Sequence, residues 1–378
     1  MVKNKKTLYL TESKDIVDLE METPCLVYDL NVVVRQILLF KSMLPEVIPY
    51  YALKSSAFSE IIKTVYAADC GFDLASKHEV FQVLNTTKDL SQTIFTNPIN
   101  SVDTIETCIR YGIRTFVVDN IDELMKYTQY KNDCNLMIRV AFRNPNIKMD
   151  LSKKFGCSTR DVHGLLERAY ELGLTIKGIC FHAGSNLQNS DKIIYAIKKC
   201  LNLIKTQSYY NINLIDIGGG FPSLTSTNEE SVKAFFDPLR EEIIKNSDKT
   251  FIAEPGRWIS AQAGKLFLKV IGKAYKNNQF WYYLNDGVYG TLSGKVFDYA
   301  TYPISIHKKQ TITDKTCYKS VLAGPTCDSF DIIEEDILLP ELMIGDIIQF
   351  HNIGAYSYVS ATTFNGIEKC NIIAKNIQ

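Results

Sequence analysis

A lysine follows one of the most apolar segments of the sequence. The run VIPYYAL (47–53) is rich in β-branched and aromatic residues, and Lys54 comes directly after it, before two serines. A single lysine at the end of a strand is more often a solvated surface residue than a nucleophile. A desolvated amine, however, is nucleophilic toward an aldehyde. Lys54 is therefore a candidate for covalent chemistry if other reactive groups accompany it.

Seven further short apolar runs also end in polar or glycine-rich residues. A histidine follows one (FHAGS, 181–185), three glycines follow another (IGGGFP, 217–222), and an acid and an arginine follow a third (EPGRW, 254–258). Taken alone, these are typical of a structural histidine, a tight turn and a salt bridge. The residues at the ends of the eight runs are Lys54, Asp73, Asn97, Asp119, Arg139, His182, Gly218 and Glu254.

Segments with helical spacing separate these eight runs. DLNVVVRQILLFKSML precedes the first run, and segments such as DKIIYAIKKCLNLIK carry apolar residues at positions i, i+3, i+4 and i+7. Eight strand–helix alternations predict a (β/α)8 TIM-type barrel, in which the carboxyl ends of the strands face one mouth. An open, doubly wound sheet is the alternative, and it would divide the same residues between two edges. The even repetition favours the barrel.

The pattern changes at about residue 260, after which amphipathic helical segments disappear. Segments such as GKLFLKVIGKAYK and DIIQFHNIGAYS are strand-like and are separated by Gly, Asn and Asp turns. The segments KTLYLTES and TPCLVYDL near the N-terminus have the same character. We therefore predict a barrel over 29–262 that is inserted into a β-domain, sandwich- or barrel-like, formed by 1–28 and 263–378.

The composition argues against several classes of protein. Lys+Arg and Asp+Glu both number 42, so no charge excess favours nucleic acid or a membrane surface. The basic N-terminus lacks the apolar stretch of a secretory signal. Ten cysteines occur singly, without a C-x-x-C pair, which is typical of a reducing compartment rather than of a disulfide scaffold or a zinc site. We expect a cytoplasmic protein without a metal.

One ligand satisfies the strand-end residues together. It needs an aldehyde for Lys54, a phosphate for the backbone of 218–220 and for Arg257, a ring nitrogen for Glu254, and a flat face for His182. Pyridoxal 5'-phosphate has all four features, and its chemistry requires a Schiff-base lysine and an acid beside the ring nitrogen. The sequence therefore predicts a pyridoxal-phosphate site.

The sequence also resembles a known class of pyridoxal-phosphate enzymes. The stretches that carry the resemblance are YYALKSS, GFDLASKHEV, KFG (154–156), FHAGS, IDIGGGFP, EPGR, NDGVYG (285–290), GPTCDSFD (324–331) and GAYS (354–357). They extend from residue 24 to beyond residue 364. The class is the alanine-racemase-like, or fold-type III, class, and within it the basic amino-acid decarboxylases, of which ornithine decarboxylases are the most similar.

This resemblance implies a homodimer whose active sites are shared between subunits. It implies that Lys54, His182, Glu254 and Cys327 are catalytic, and that Cys327 reaches the site from the partner subunit and returns a proton to Cα after CO2 leaves. A salt bridge between Lys154 and Asp331 is implied across the dimer. The implied cofactor contacts are Lys54, Asp73, Arg139, His182, Ser185, Gly218, Gly219, Gly220, Glu254, Arg257 and Tyr356.

The resemblance places Asp298, and Asp328 of the partner subunit, around the far end of the substrate. Two carboxylates around one amine favour a diamino acid. Diaminopimelate enzymes typically have Cys-Glu where this chain has Cys327-Asp328, and no obvious cation near either aspartate is available for a second carboxylate. An arginine enzyme needs room for a guanidinium. Lysine differs from ornithine by one methylene, which discriminates by only about 10–200-fold.

We therefore favour decarboxylation of L-ornithine to putrescine, a step of polyamine biosynthesis, with lysine second and arginine or diaminopimelate as further alternatives. Two other classes of function are open. A homologue that has lost catalysis would act as a binding protein, but Lys54, Glu254, Arg257 and Cys327 are all present. An alanine racemase would need a tyrosine base from the partner, where this chain offers Cys327-Asp328.

Overall fold

The computed structural model describes residues 21–142, 153–223, 229–308 and 316–376. The predicted strand in KTLYLTES lies outside these residues. The strands are β1 (Cys25–Asp29), β2 (Val47–Ala52), β3 (Gly71–Leu74), β4 (Thr93–Phe95), β5 (Thr115–Val118), β6 (Asn135–Val140), β7 (Ile176–Phe181), β8 (Leu214–Asp216), β9 (Thr250–Ala253), β10 (Gly264–Lys276), β11 (Gln279–Leu284), β12 (Ile304–His307), β13 (Cys317–Ala323), β14 (Ile332–Pro340), β15 (Ile347–His351) and β16 (Asn371–Lys375). The α-helices are α1 (Leu30–Met43), α2 (Ser59–Ala67), α3 (Lys77–Thr87), α4 (Val102–Arg110), α5 (Ile121–Lys126), α6 (Val162–Glu171), α7 (Asp191–Lys205), α8 (Glu229–Ile244), α9 (Arg257–Ser260) and α10 (Gly294–Phe297).

A closed parallel barrel forms the centre of the compact unit Val33–Ile259. Strands β2 to β9 pair in chain order, and β9 closes the barrel on β2, with Phe251 opposite Val47. In an open sheet, β2 and β9 would not pair with each other. The predicted (β/α)8 barrel is therefore confirmed and the open sheet is wrong. As expected for this fold, the helices α2 to α8 alternate with the strands.

The alternation of side chains along the strands fills the barrel interior. Five buried residues from five strands pack together there, namely Ile94, Val117, Met137, Cys180 and Ile252. Several helices begin with a side-chain cap immediately after a strand-end loop. The side chains of Ser76, Ser101 and Asn120 accept the backbone N–H three residues later at the starts of α3, α4 and α5. These caps fix the path of the chain at the mouth of the barrel.

A tryptophan holds the chain beyond β9 in place. The Trp258 ring is buried, its Nε1 donates to the Gln36 carbonyl at 2.9 Å, and Gln36 Nε2 donates to the Trp258 carbonyl at 3.0 Å. The ring also packs edge-on against Phe236, with ring centroids 5.0 Å apart. Because Trp258 follows the EPGR segment directly, these contacts position that segment against α1.

The second unit, Met1–Val32 with Ser260–Gln378, contains a curled mixed sheet. Six strands follow one another in the order β12-β15-β10-β11-β13-β14, while β1 pairs antiparallel with β10 and parallel with β16. A register shift between Val270 and Gly272 marks a bulge in β10, the longest strand of this sheet. The prediction that the N-terminal segment contributes to the β-domain is confirmed for β1, whereas residues 1–20 of that segment lie outside the described residues.

The described residues contain no helix that is long and apolar enough to cross a membrane. All ten cysteines fall in this part of the chain and are free thiols, and only Cys317 and Cys327 among them are exposed. Within the same ranges no group of three or more His, Cys, Asp or Glu side chains is arranged to hold a metal ion.

Candidate active site

Lys54 lies in a single 3-10 turn, Leu53–Ser55, immediately after β2. Its Nζ donates to Asp73 Oδ2 at 2.7 Å and lies 3.8 Å from Glu254 Oε2. The Asp73 side chain is fully buried, whereas the Lys54 side chain is 39% exposed. Thr96 Oγ1 donates to the second oxygen of Asp73, at 2.5 Å, and so orients this carboxylate. The amine is thus accessible yet held by charge at the end of a buried strand.

Glu254 has a second carboxyl beside it that the sequence interpretation did not single out. Asp216, on the neighbouring strand β8, is 0% exposed, and its Oδ1 accepts the Gly218 N–H at 2.8 Å. No donor group of the described residues reaches its Oδ2, so the hydrogen bond that links Asp216 to Glu254 requires a proton on one of the two carboxyl groups. Burial and the Glu254 charge raise the pKa of Asp216 well above its usual range. Burial and the Asp73 charge also raise the pKa of Glu254.

Three buried carboxyl groups therefore lie close together in the barrel, and Lys54 contacts two of them, Asp73 and Glu254. Asp216 carries the strongest reason to hold a proton, because one of its oxygens has no donor and a second acid lies next to it. Glu254 is closer to cationic charge, and Lys54 and Arg139 both act to lower its pKa. The arrangement favours the protonated form of Asp216 and leaves Glu254 as the group that can face a cationic ring nitrogen.

His182, the residue after β7, is a neutral imidazole at ordinary pH. Burial, with the charges of Arg139 and Lys54, lowers the pKa of His182 to about 3. Its Nδ1 accepts the Gly184 N–H at 3.3 Å, so Nε2 carries the ring proton. Arg139, near the end of β6, lies over the Phe155 ring, with Cζ 5.3 Å from the centroid. A neutral ring is suited to pack against the flat face of a ligand.

The three glycines after β8 form a turn that only glycine can build. Gly218 and Gly220 have φ values of 67° and 92°, and a Cβ at these positions would lie 2.2 Å from the Phe181 carbonyl and 2.1 Å from the Gly184 carbonyl. The Gly218 carbonyl accepts the Glu254 N–H at 2.9 Å, which ties this turn to the EPGR segment. A glycine turn at the barrel mouth fits a phosphate, with Ser185 and Arg257 in the adjoining segments.

Two of the other strand-end residues have structural contacts. Asn97 Nδ2 donates to the Ala75 carbonyl at 3.2 Å. Asp119 Oδ2 accepts the Gly156 N–H at 2.7 Å and so orders the KFG segment. Neither contact involves the Lys54 amine. The chemically useful strand ends are therefore those of β2, β3, β6, β7, β8 and β9.

In the β-domain, Cys327 and Asp328 lie on one loop between β13 and β14. The Cys327 side chain is exposed, and its N–H donates to Asn365 Oδ1 at 3.1 Å. Asp328 accepts the Phe330 N–H at 2.9 Å and the Tyr289 hydroxyl at 2.5 Å. These two hydrogen bonds lower the pKa of Asp328, so it is a carboxylate at neutral pH. Sequence reasoning missed Tyr289 and Asn365, although both lie in segments rich in Gly and Asn.

The remaining predicted residues of this domain have defined positions. Asp298 ends α10 and donates its N–H to the Gly294 carbonyl at 3.0 Å. Tyr356 has a left-handed backbone, with φ of 53°. Asp331 is 2% exposed, whereas Lys154, in the barrel unit, is exposed and lies over Phe155 with Nζ 4.7 Å from the ring centroid. Their pairing across a dimer stays a prediction.

The barrel residues match the chemical groups of pyridoxal phosphate. An accessible amine, a buried carboxylate, a neutral imidazole and a glycine turn all belong to the mouth of one barrel. Each matches one chemical feature of this cofactor, respectively the aldehyde, the ring nitrogen, the ring face and the phosphate. The site therefore fits the cofactor that the sequence predicts.

Comparison with known proteins gives the same result. Residues 30–261 match the family model described as "Pyridoxal-dependent decarboxylase, pyridoxal binding domain". Mouse ornithine decarboxylase is 33% identical over 365 residues, which cover 92% of this chain and 79% of that protein. The Vibrio vulnificus lysine/ornithine decarboxylase structure, complexed with cadaverine, is 36% identical, has a TM-score of 0.86, and is matched over 95% of this chain and 96% of its own.

A viral enzyme extends the range of related substrates. The arginine decarboxylase of Paramecium bursaria Chlorella virus, bound to agmatine, is 28% identical with a TM-score of 0.88, and the match covers 94% of this chain and 96% of that one. The fold, the pyridoxal phosphate site and these relatives agree. The chain belongs to the family of pyridoxal-dependent decarboxylases and is itself a pyridoxal-phosphate-dependent decarboxylase of basic amino acids.

Proposed function

We propose that this protein decarboxylates L-ornithine to putrescine and CO2, with L-lysine as the second candidate substrate. The observation that carries the proposal is the pair formed by the exposed Cys327 thiol and the adjacent Asp328 carboxylate, which its hydrogen bonds keep ionised. A thiol can donate a proton, and a carboxylate can bind an ammonium group. Relatives that act on ornithine, on lysine and ornithine, and on arginine support the class of substrate.

The barrel residues hold the cofactor in this proposal. When bound, pyridoxal phosphate supplies an aldehyde and an electron-withdrawing ring that stabilises negative charge at Cα. Lys54 is the amine for the aldehyde, and Asp73 holds that amine in place. With the cofactor bound, Glu254 would accept a hydrogen bond from the ring nitrogen, and the neutral His182 would pack on the ring. The phosphate would be held by Ser185, Gly218, Gly219, Gly220, Arg257 and Tyr356.

Asp216 supports Glu254 without touching the cofactor. A neutral acid next to Glu254 adds no negative charge to the barrel, so Glu254 can ionise while Asp73 is also ionised. If Asp216 were charged, three carboxylates would face two cations, Lys54 and Arg139. Like charges that share a buried site raise one another's pKa. Asp216 is therefore a positioning residue for the charge state of Glu254.

The substrate end of the site comes from the β-domain in this proposal. Asp298 and the partner subunit's Asp328 bind the distal ammonium, and the partner subunit's Cys327 gives its Sγ proton to Cα after CO2 leaves. An ammonium group fits two carboxylates by charge, whereas a guanidinium needs a longer pocket. Dimerisation is part of this proposal, because each site needs residues from both chains.

The first prediction concerns the lysine. Borohydride reduction of the holoenzyme should fix the cofactor on Lys54, because this amine is held at the mouth of the barrel by Asp73. Peptide mass spectrometry locates the modified residue. Recovery of the label on any other lysine would show that the assignment of Lys54 is wrong.

The second prediction compares two acids of one cluster. Glu254→Gln should retain the cofactor and lower kcat by on the order of 10²-fold or more, because a neutral amide cannot stabilise the charged ring nitrogen. Asp216→Asn should lower kcat by less than about threefold, because it replaces a neutral acid with a neutral amide of the same shape. Steady-state rates and the cofactor absorbance of both variants provide the measurement.

The two variants control for each other, since both place an amide in the same buried cluster. Turnover close to that of the unmodified enzyme in Glu254→Gln would contradict the role of Glu254. An equal, large loss in Asp216→Asn would show that Asp216 works as an ionised group.

The third prediction tests the shared site. Lys54→Ala and Cys327→Ala should each be nearly inactive, but a mixture should regain activity through heterodimers in which one site has an intact Lys54 and an intact Cys327. Exchange of subunits is checked independently with differently tagged chains. Heterodimers that form and show no activity would disprove a site built from two subunits.

The fourth prediction concerns the substrate. Asp298→Asn and Asp328→Asn should each reduce kcat/KM for ornithine by about 30-fold or more, since each variant removes one of the two countercharges proposed for the distal ammonium of the bound substrate. The cofactor absorbance should stay unchanged in both. Rates with ornithine, lysine, arginine and meso-diaminopimelate are compared. A tenfold or greater preference for another substrate in the unmodified enzyme would refute ornithine, and full ornithine activity in both variants would refute the distal site.

A further inference from the structure

Asp331 is the buried carboxylate of the loop that carries Cys327. Its Oδ1 accepts the Val288 N–H at 2.9 Å and its Oδ2 accepts the Thr326 N–H at 3.1 Å. Its backbone closes the loop as well, because the Asp331 carbonyl accepts the Gly324 N–H at 2.8 Å and its own N–H donates to the Asp328 carbonyl at 3.0 Å. One buried residue thus joins both ends of the loop 324–331.

Two glycines pack directly on this carboxylate. A Cβ on Gly324 would lie 2.3 Å from both carboxylate oxygens of Asp331, and a Cβ on Gly287 would lie 2.2 Å from Oδ1. Larger residues at either position would displace the carboxyl group. The segments NDGVYG and GPTCDSFD are therefore built around the Asp331 carboxylate, which explains Gly287 in the first and Gly324 in the second.

The tip of the loop is held by two more segments. The Cys327 N–H donates to Asn365, and the Asp328 carboxylate accepts the Tyr289 hydroxyl. The Tyr289 ring stacks on Phe364, with centroids 4.5 Å apart. Tyr289 itself follows Val288, whose N–H is bound by Asp331. Asp331 therefore positions the segment that supports the tip of the loop, where Cys327 and Asp328 lie.

We propose that Asp331 is a positioning residue for Cys327 within its own subunit. The functional consequence rests on the proposed function, in which the Cys327 thiol returns a proton to substrate Cα. The resemblance assigns the Asp331 carboxylate to a salt bridge with Lys154 of the partner subunit. Asp331 is 2% exposed, and its carboxylate already accepts two backbone N–H groups. Its work in holding the loop does not depend on a partner.

The test compares the holoenzyme with the variants Asp331→Asn and Lys154→Met. The asparagine has nearly the same shape but replaces one acceptor with an NH2 group, which then faces a backbone N–H donor. Hydrogen–deuterium exchange of the peptide 324–331 should accelerate by about tenfold or more in Asp331→Asn, because the loop opens locally. Its kcat should fall by on the order of 10²-fold, the typical effect of about 1 Å of misplacement, with cofactor absorbance and dimer mass unchanged. Lys154→Met should leave the exchange of this peptide unchanged.

A milder variant covers the case in which Asp331→Asn does not fold. Asn365→Gly tolerates the left-handed backbone at this position, where φ is 57°, and removes the acceptor of the Cys327 N–H. It should accelerate exchange in the same peptide and lower kcat in parallel.

Two results would overturn the proposal. The first is an exchange rate of the peptide 324–331 in folded Asp331→Asn that lies within twofold of the rate in the unmodified enzyme. If Asp331→Asn does not fold, the same result in Asn365→Gly counts instead. The other is equal loss of activity in Asp331→Asn and Lys154→Met that a higher enzyme concentration restores, which indicates a bridge between subunits. A fully active Cys327→Ala variant would refute the proposed role of Cys327 instead, while the exchange data would still decide the role of Asp331.

Discussion

The ion pair between Lys54 and Asp73 is the contact on which the barrel site depends. An amine 2.7 Å from a fully buried carboxylate is strongly held, and breaking a fully buried pair costs about 3–5 kcal/mol. The 39% exposure of the Lys54 side chain brings the cost of this pair below that range, because solvent screens the charge. The same exposure makes the amine available for chemistry. The site thus combines an anchored charge with access.

Closure of the barrel brings the other acidic residues of the site close to this ion pair. The strands β8, β9, β2 and β3 are neighbours in that order around the barrel, and they carry Asp216, Glu254, Lys54 and Asp73 at or just beyond their carboxyl ends. The pairing of β9 with β2 brings together residues that are far apart in sequence. Like charges in such a cluster favour a proton on one member, and burial beside Glu254 raises the pKa of Asp216 most clearly. Topology and protonation state therefore depend on each other.

The sequence predicted the barrel and its strand-end residues because both follow from local pattern. Alternating strands and helices define the fold, and a residue that follows an apolar run must lie at a strand end. Asp216 escaped notice because it is the last residue of β8, two residues before the glycines, where nothing local marks it as buried beside another acid. The parallel pairing of β1 with β16 is likewise set by contacts between distant segments. Tyr289 and Asn365 lie on two other loops, and only the folded structure brings these loops next to the loop of Cys327.

The proposed assignment of most cofactor contacts to the barrel and of the substrate contacts to the β-domain accounts for relatives that differ in substrate and share one structure. The arginine decarboxylase, at 28% identity, and the lysine/ornithine decarboxylase, at 36%, match this chain with TM-scores of 0.88 and 0.86. Fold similarity therefore does not follow the substrate. Most of the groups proposed to bind the cofactor lie at or just beyond the ends of barrel strands, next to a packed interior that a change would disturb. Asp298 and Asp328 lie at a helix end and on a loop of the β-domain, where side chains can vary at lower cost to the fold. Substrate choice in this family is therefore expected to depend on a few loop residues and on the hydrogen bonds that hold them.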